Sequence, residues 1–194
     1  SLTGSVNYNL NRNGNLSSIY QEQYLPAGNQ YSASTNESNS KGRSISSNFM
    51  GSWEVDKRTR IHFTGNLGIS PNRNENSSQN ASFDAPPGIS HESLFDDFES
   101  IPRDIKVNRS ENRSRSENQS NRYSWMMGIM RRLNEKGTTL ALNILNSDSW
   151  GDNESFSLSK TTYFRLEDKL GNDSVLFRNQ YLKSPQKNNS WRVG

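Results

Sequence analysis

The sequence predicts an all-β chain of about six long antiparallel up-and-down strands, arranged as three hairpins. Three observations predict it. Apolar and polar residues alternate with period two over most of the 194 residues, the signature of a strand with two different faces. Turn-forming clusters interrupt the alternation at a few places only. The parity of the apolar positions on either side of each cluster agrees with antiparallel pairing, and a one-residue slip would destroy every such match.

The clearest stretch is 45–69. Ile45, Phe49, Gly51, Trp53 and Val55 occupy odd positions with polar Ser46, Asn48, Ser52 and Glu54 between them, and Met50 is the exception. Beyond a charged turn, Ile61, Phe63, Gly65, Leu67 and Ile69 are odd again. A three-residue turn Lys57-Arg58-Thr59 is expected to pair Val55 with Ile61 and Trp53 with Phe63.

From Leu2 to Tyr24 the even positions carry the apolar residues, and Asn7, Asn9, Asn11, Asn13 and Asn15 form a row on the odd face. Asn13-Gly14 could form a tight turn, but the parity runs through it unshifted, so one long strand is expected. Pro26-Ala27-Gly28-Asn29 supplies the turn. A four-residue loop there pairs Tyr24 with Tyr31, Leu10 with Ile45, Val6 with Phe49 and Leu2 with Trp53. Past Ile69 the third strand turns polar. At 84–104 the alternation stops, which predicts a long loop with a short turn of helix. It resumes at Ile105 and reaches Tyr123, Trp125, Met127, Ile129 and Leu133. A turn at Asn134-Glu135-Lys136-Gly137 places Ile129 opposite Leu142 and Met127 opposite Ile144, and carries Val107 to Phe164 and Ile105 to Leu166. Gly171-Asn172 reads as a two-residue hairpin turn, aligning Leu166 with Phe177 and Trp150 with Val193.

Composition first suggests disorder. Hydrophobic residues make up 29%, mean hydropathy is −0.99, and Asn and Ser together supply roughly 30% of the chain, far above ordinary usage. Disorder does not demand phasing, however, whereas a transmembrane barrel alternates apolar-out with polar-in and keeps a low mean hydropathy. The net charge of +3 is too weak to indicate a nucleic-acid partner. The absence of cysteine excludes disulfides and thiolate metal sites. No run of about 18 apolar residues is present for a membrane helix. The chain opens inside patterned sequence, at SLTGSVNYNL, and reads as an internal fragment.

Two features favour a larger transmembrane β-barrel, with 1–194 as one segment of it. Short charged turns around Arg58 and Glu135 alternate with distant tips on long arms, as periplasmic turns alternate with extracellular loops. The dense apolar alternation spans about nine to eleven residues beside each short turn, enough for a tilted strand to cross a bilayer. Trp53 then belongs to the lower aromatic girdle, and Tyr123, Trp125 and Trp150 to the far edge. The plainer account makes these aromatics ordinary cross-strand pairs in a sheet core.

The segments SWEVDKRTRIHFTGNLGIS, IPRDIKVNRSENRSRSENQSNR, RRLNEKGTTLALNI and LEDKLGNDSVLFRNQY resemble the outer-membrane β-barrel family of Bacteroidetes, whose members are similar to TonB-dependent receptors. The likeness covers most of the chain, in strand and turn patterns. It implies a barrel of about 22 strands with a plug, with TonB and a surface lipoprotein as partners, uptake of a nutrient by gated passage, and location in the bacterial outer membrane. The plug and the TonB-contacting segment have no counterpart here.

Under this reading Val6, Ile45, Phe49, Trp53, Phe63, Leu67, Trp125, Ile129, Leu142 and Ile144 form a lipid-facing band. Arg109, Arg113 and Arg115 continue that face towards the phosphates of lipopolysaccharide, which the guanidinium fork suits; the simpler account is cross-strand pairing, such as Glu111 with Lys160. Asn7, Asn9, Asn48, Asn66 and Asn143 face a lumen, either as hydrogen-bonding groups for a polar solute or as a plain solvated wall. No enzyme chemistry and no cofactor is expected. His62 and His91 lie far apart in the pattern, segment 146–151 lacks the ligands of a calcium loop, and Asp96, Asp97 and Glu99 read as a solvated loop. The competing expectation is a soluble secreted or surface β-sheet module for glycan binding or adhesion.

Overall fold

The computed structural model describes every residue except Ala27 and Lys169. Six strands run in sequence: β1 (Leu2–Gln23), β2 (Gln30–Asp56), β3 (Thr59–Phe83), β4 (Lys106–Arg132), β5 (Thr139–Glu167) and β6 (Asp173–Val193). They form one antiparallel sheet in the order β1-β2-β3-β4-β5-β6, with β1 and β6 at its edges. Among the described residues no helix is long and apolar enough to cross a membrane, which leaves crossing by strands untouched. The strands are unusually long. At about 3.3 Å per residue, the 27 residues of β2 reach about 90 Å, several times the roughly nine to eleven residues that span a bilayer.

β1 continues straight through Asn13-Gly14, as its parity requires. Face parity is kept along the body of every ladder and switches only at the bulged end pairs Asp56–Thr59, Phe83–Lys106 and Glu167–Asp173, but register is not always the expected one. Between β1 and β2 the ladder ends at Gln23 opposite Gln30, so Glu22 rather than Tyr24 meets Tyr31. Tyr8 is therefore opposite Ile45, Gly4 opposite Phe49 and Leu2 opposite Gly51. The connection is two residues wider than expected. Within it the Gly28 N–H donates to the Leu25 carbonyl at 3.1 Å, while the expected turn residue Ala27 lies outside the described residues.

Between β2 and β3 the turn contains two residues, Lys57 and Arg58, closed by Asp56 opposite Thr59, with Val55 bulged. Trp53 consequently meets Ile61 and Gly51 meets Phe63. The cause is Asp56: its carboxylate accepts the N–H groups of Arg58 at 2.6 Å and Thr59 at 2.7 Å and the Thr59 hydroxyl at 3.1 Å. That side-chain closure replaces a longer loop. The N–H of Arg58, before the other contacts, holds the Asp56 carboxyl below the ordinary carboxylate range. A group with a depressed folded pKa contributes stability above its unfolded pKa and loses it as pH falls through the folded value. In Asp56→Ala we therefore expect a weakened hairpin above about pH 4, the ordinary value for Asp. The difference from the parent protein should shrink on further acidification. Denaturant titrations of both proteins across that range test this; a difference independent of pH would reject the role assigned to the carboxylate.

The β4–β5 turn has the expected length, although the expected pairs Val107–Phe164 and Ile105–Leu166 lie beyond the end of the ladder. Asn134 Oδ1 accepts the Thr138 N–H at 3.0 Å and its Nδ2 donates to the Thr138 hydroxyl at 2.9 Å, while Gly137 takes positive φ. Ile129 meets Leu142 and Met127 meets Ile144, and the register holds to Asn108 opposite Tyr163. At the last hairpin, Glu167 closes on Asp173, but the next pair is Tyr163 with Ser174, so 164–166 bulge out. Phe177 thus meets Lys160 rather than Leu166, and Trp150 meets Lys187 rather than Val193, which lies opposite Ile144. Tertiary contacts hold the bulge: the Phe164 ring packs on Phe98 at 5.8 Å and Arg165 pairs with Asp84.

The loop 84–105, with 3₁₀ turns at Phe98–Ser100 and Arg103–Ile105, folds back over one face of the sheet. It creates the buried core: Tyr31, Ala33, Ala81, Phe83, Leu94, Phe98 and Ile101, with Tyr20, Ile89, Phe95, Ile105 and Phe164 packed around it.

Candidate functional site

The registers define two faces. One carries the even residues of β1 and β5 and the odd residues of β2, β3, β4 and β6. All ten residues expected in the lipid-facing band lie on it. Nearest the short turns stands Trp53–Ile61–Ile129–Leu142. Above it come Leu2–Gly51–Phe63–Met127–Ile144–Val193 and then Gly4–Phe49–Gly65–Trp125–Asn146–Trp191. The band closes upward at Tyr8–Ile45–Ile69–Asn121–Trp150. On β3 it covers 61–69, nine residues, the length a tilted strand needs to cross a bilayer.

Aromatic rings tie the middle of the band together. Phe49 stacks on Phe63 at 5.6 Å, Phe63 on Trp125 at 6.5 Å, and Trp125 meets Trp191 edge-on at 5.7 Å. The Phe49 ring lies across Gly65, where an added Cβ would come within 2.2 Å of it. Glycine is thus what lets the ring lie flat on the sheet. Trp53 sits at the lower edge and Trp150 at the upper edge, beside Tyr123 at 6.0 Å. Trp125, expected at the far edge, stands instead at mid-height opposite Gly65. The band is less uniform on β5: Asn146 is buried, and Asp148 accepts the Tyr123 hydroxyl at 3.1 Å.

The opposite face carries Asn7, Asn9, Asn48, Asn66 and Asn143, all exposed. The surrounding pattern is more uniform than those five suggest. Every position of that face in 7–17 of β1, 32–46 of β2, 66–82 of β3, 108–120 of β4 and 147–161 of β5 is Ser, Asn, Thr or Gly. No charge or aromatic ring interrupts it. Cross-strand bonds such as Thr161 to Ser110 at 3.2 Å and Ser116 to Asn153 at 3.3 Å stitch neighbouring strands. Charges on this face begin lower down, at Arg122, His62 and Arg60. On β6 Arg178 stands on this face, opposite Ser159, but above the band on β1–β5 charge is confined to the other face.

There the rungs read Leu10–Arg43 with Gln119–Asp152, then Arg12–Lys41–Arg73–Glu117–Glu154–Lys183. Arg73 pairs with Glu75, Arg115 with Glu117, and Lys183 with Glu154 at 2.7 Å. The hydrogen bond from Arg73 holds Glu75 below its ordinary pKa, and that from Arg115 does the same for Glu117.

Arg109, Arg113 and Arg115 share this face but stand high on it. They lie twelve, eight and six residues beyond Asn121 of the band edge, or about 40, 26 and 20 Å along the strand. Arg109 is enclosed by the loop: its guanidinium lies 4.6 Å over the Phe98 ring, with Gln79 at 3.0 Å and Glu111 at 3.1 Å, and its Nε has no partner. Glu111 stands opposite Lys160 as expected, but its ion partner is Arg109.

Pattern reading missed the apolar loop core. The signal was LFDDF at 94–98, three large apolar residues flanking two acidic ones inside a stretch without alternation. Phe98 is its centre, with Phe83 at 6.0 Å and the ammonium of buried Lys106 at 4.6 Å. The loop reaches every strand: His91 stacks on Tyr20 of β1 at 3.9 Å, and Arg103 pairs with Asp173 of β6 at 2.5 Å. Among the described residues no three His, Asp or Glu groups are placed to hold a metal ion.

Comparison with protein-family models and with curated proteins returns no match. Among solved structures, one titled "Crystal structure of lipopolysaccharide binding protein" aligns over 91% of this chain and 77% of its own at 6% identity, with a TM-score of 0.11. At that value the likeness carries no weight for fold or function.

Proposed function

We propose that the chain is part of an outer-membrane β-barrel that admits a nutrient by gated passage, without enzymatic chemistry of its own. The observation that carries this reading is the division of the sheet: a nine-residue-high apolar band on one face, and on the other a Ser/Asn surface that is uncharged above the band on β1–β5, with Arg122, His62 and Arg60 behind the band itself. A band of this height on exposed strands is offset by lipid, and a surface of uncharged hydrogen-bonding groups suits the water of a lumen. The open edges of β1 and β6 support a longer sheet around them, because unpaired edges are a liability that closure removes. The resemblance of the strand and turn patterns to TonB-dependent receptors supplies the transport class, with a plug, TonB and a surface lipoprotein as the implied partners.

The test is fractionation of cells making the full-length protein. It should sediment with outer membranes, resist carbonate and high salt, and require detergent for release. Release by carbonate alone would sink the proposal.

A second reading keeps a specific observation in its favour. The only buried core among the described residues lies on the band's own face, under loop 84–105, which is how a soluble surface module would begin to cover an apolar sheet. In that reading the Ser/Asn face binds a glycan, and detergent is unnecessary.

A further inference from the structure

We propose that Arg12, Lys41 and Arg43 form a site for the phosphate headgroup of an anionic membrane lipid, seated at the upper edge of the apolar band. The proposal rests on the reading that the band faces lipid. Its geometry is independent of the arginines higher on β4. Leu10 stands opposite Arg43, and Arg12 opposite Lys41. These are the first and second rungs above Tyr8–Ile45, the last rung of the band. Arg43 therefore projects about 7 Å, and Arg12 and Lys41 about 13 Å, beyond the apolar edge along the strand. Headgroup phosphates lie at that level, whereas Arg113 and Arg115 stand well above it.

The three cations are exposed and make no ion pair among the described residues. Their neighbours are accounted for. Glu75 belongs to Arg73, Glu117 to Arg115, and Glu154 to Lys183. Asp152, without an ion partner, lies on β5, three strands from Lys41 and about 14 Å away at 4.8 Å per strand. Glu37, on β2 four residues above Lys41 and about 13 Å along the strand, accepts a hydrogen bond from Asn39, so the positive end of this rung has no direct ion pair on β1 or β2 among the described residues.

The ground beneath it is also shaped. Pro71, on central β3, has no N–H to donate, and the β2–β3 ladder is interrupted between the Gly42–Asn72 and Ile45–Ile69 pairs. Proline is ordinarily kept out of central strands, and here it lies level with Arg43. The gap opens a groove of about 470 Å³ in which Leu10 and Pro71 give an apolar floor; Lys41, Arg43 and Arg73 form a cationic rim at its β2–β3 end, and Glu117, Asp152 and Glu154 line the β4–β5 end, so an anion is accommodated only at the former. An apolar floor continuous with the band and a cationic rim above it complement the junction of a lipid's acyl chains and its phosphate. Arginine binds phosphate through two parallel hydrogen bonds, and lysine adds a point charge.

Association of the full-length protein with three vesicle preparations tests the site: phosphatidylcholine alone, phosphatidylcholine with lipid A, and phosphatidylcholine with dephosphorylated lipid A. We expect insertion into all three and tighter association only where lipid A carries its phosphates, which add net negative charge that zwitterionic phosphatidylcholine lacks. Each removed cation should weaken that preference by about fivefold, so that Arg12→Gln/Lys41→Gln/Arg43→Gln abolishes it while still inserting. Arg178→Gln, a cation on the opposite face, should change nothing. If the triple variant keeps its preference for lipid A, or the parent shows none, the site is refuted while the membrane reading stands. If neither protein inserts into phosphatidylcholine, the membrane reading fails and the site falls with it.

Discussion

Phe98→Ala should release loop 84–105 from the sheet without unravelling the strands. Phe98 is 1% exposed and is the common contact of Phe83, Phe164, Lys106 and Arg109. Truncating a buried phenylalanine to alanine costs about 3–5 kcal/mol. The loss here goes further than volume. Lys106 is 4% exposed and its ammonium has the Phe98 and Phe164 rings, at 4.6 and 5.6 Å, as its cation–π partners. The Arg109 guanidinium rests on the same Phe98 ring. Without the ring both cations face a cavity, which favours hydration and an open loop. The strands survive because their ladders do not pass through the loop. Limited proteolysis should therefore show cleavage within 84–105 accelerated by about two orders of magnitude or more, as a local opening free energy reduced by that amount requires. Leu170→Ala, at a residue 85% exposed, should be silent. Phe98→Leu separates the contributions, since it restores most of the packing but not the ring. Unchanged cleavage in Phe98→Ala would remove the loop's role as a clasp across the six strands.

That clasp also explains which parts of the fold were legible in the sequence. Face parity was legible, because a slip of one residue exchanges the two faces and the alternation forbids it. Strand identity and order followed from the same pattern. A slip of two or six residues leaves every side chain on its proper face, so the pattern is silent about it. Register was then decided by individual groups. Asn134 closes a turn of the expected length, and the register of that hairpin matched. Asp56 draws in two N–H groups and shortens the next turn, shifting Trp53 from Phe63 to Ile61. The bulge at 164–166 answers to Phe98 and Asp84, which lie some seventy residues or more earlier in the chain, and no local signal encodes it. The same holds for the site. Membership of the band and of the polar face was readable residue by residue. The height of Trp125, the burial of Arg109 and the unpaired state of Lys41 and Arg43 depend on register, and become visible only once it is known.

The band itself is most directly tested by placing a charge in it. In Phe63→Arg we expect a loss of about 2–4 kcal/mol in folding from lipid or detergent, the cost of arginine on the lipid face near the midplane. Phe63 lies opposite Gly51 and Met127 on the central strands, next to Gly65 at the middle of 61–69. The band's own carboxylate, Asp148, is two strands away and two rungs higher, and it accepts the Tyr123 hydroxyl, so the new guanidinium has no partner within reach. The comparison with other positions gives the test its force. Ile69→Arg, at the upper edge and one rung below Arg43, should cost about 0–1 kcal/mol because its side chain reaches the interface. Thr64→Arg, adjacent in sequence but on the polar face, should cost little in stability. A lipid-facing band thus demands a depth profile, steep on one face and shallow on the other, measured by urea titration of folding into vesicles. A protein-covered sheet demands something else: penalties that follow local packing, with Ile69→Arg as costly as Phe63→Arg and no dependence on lipid. Equal losses at 63 and 69 would therefore move the chain from the membrane to the surface-module reading.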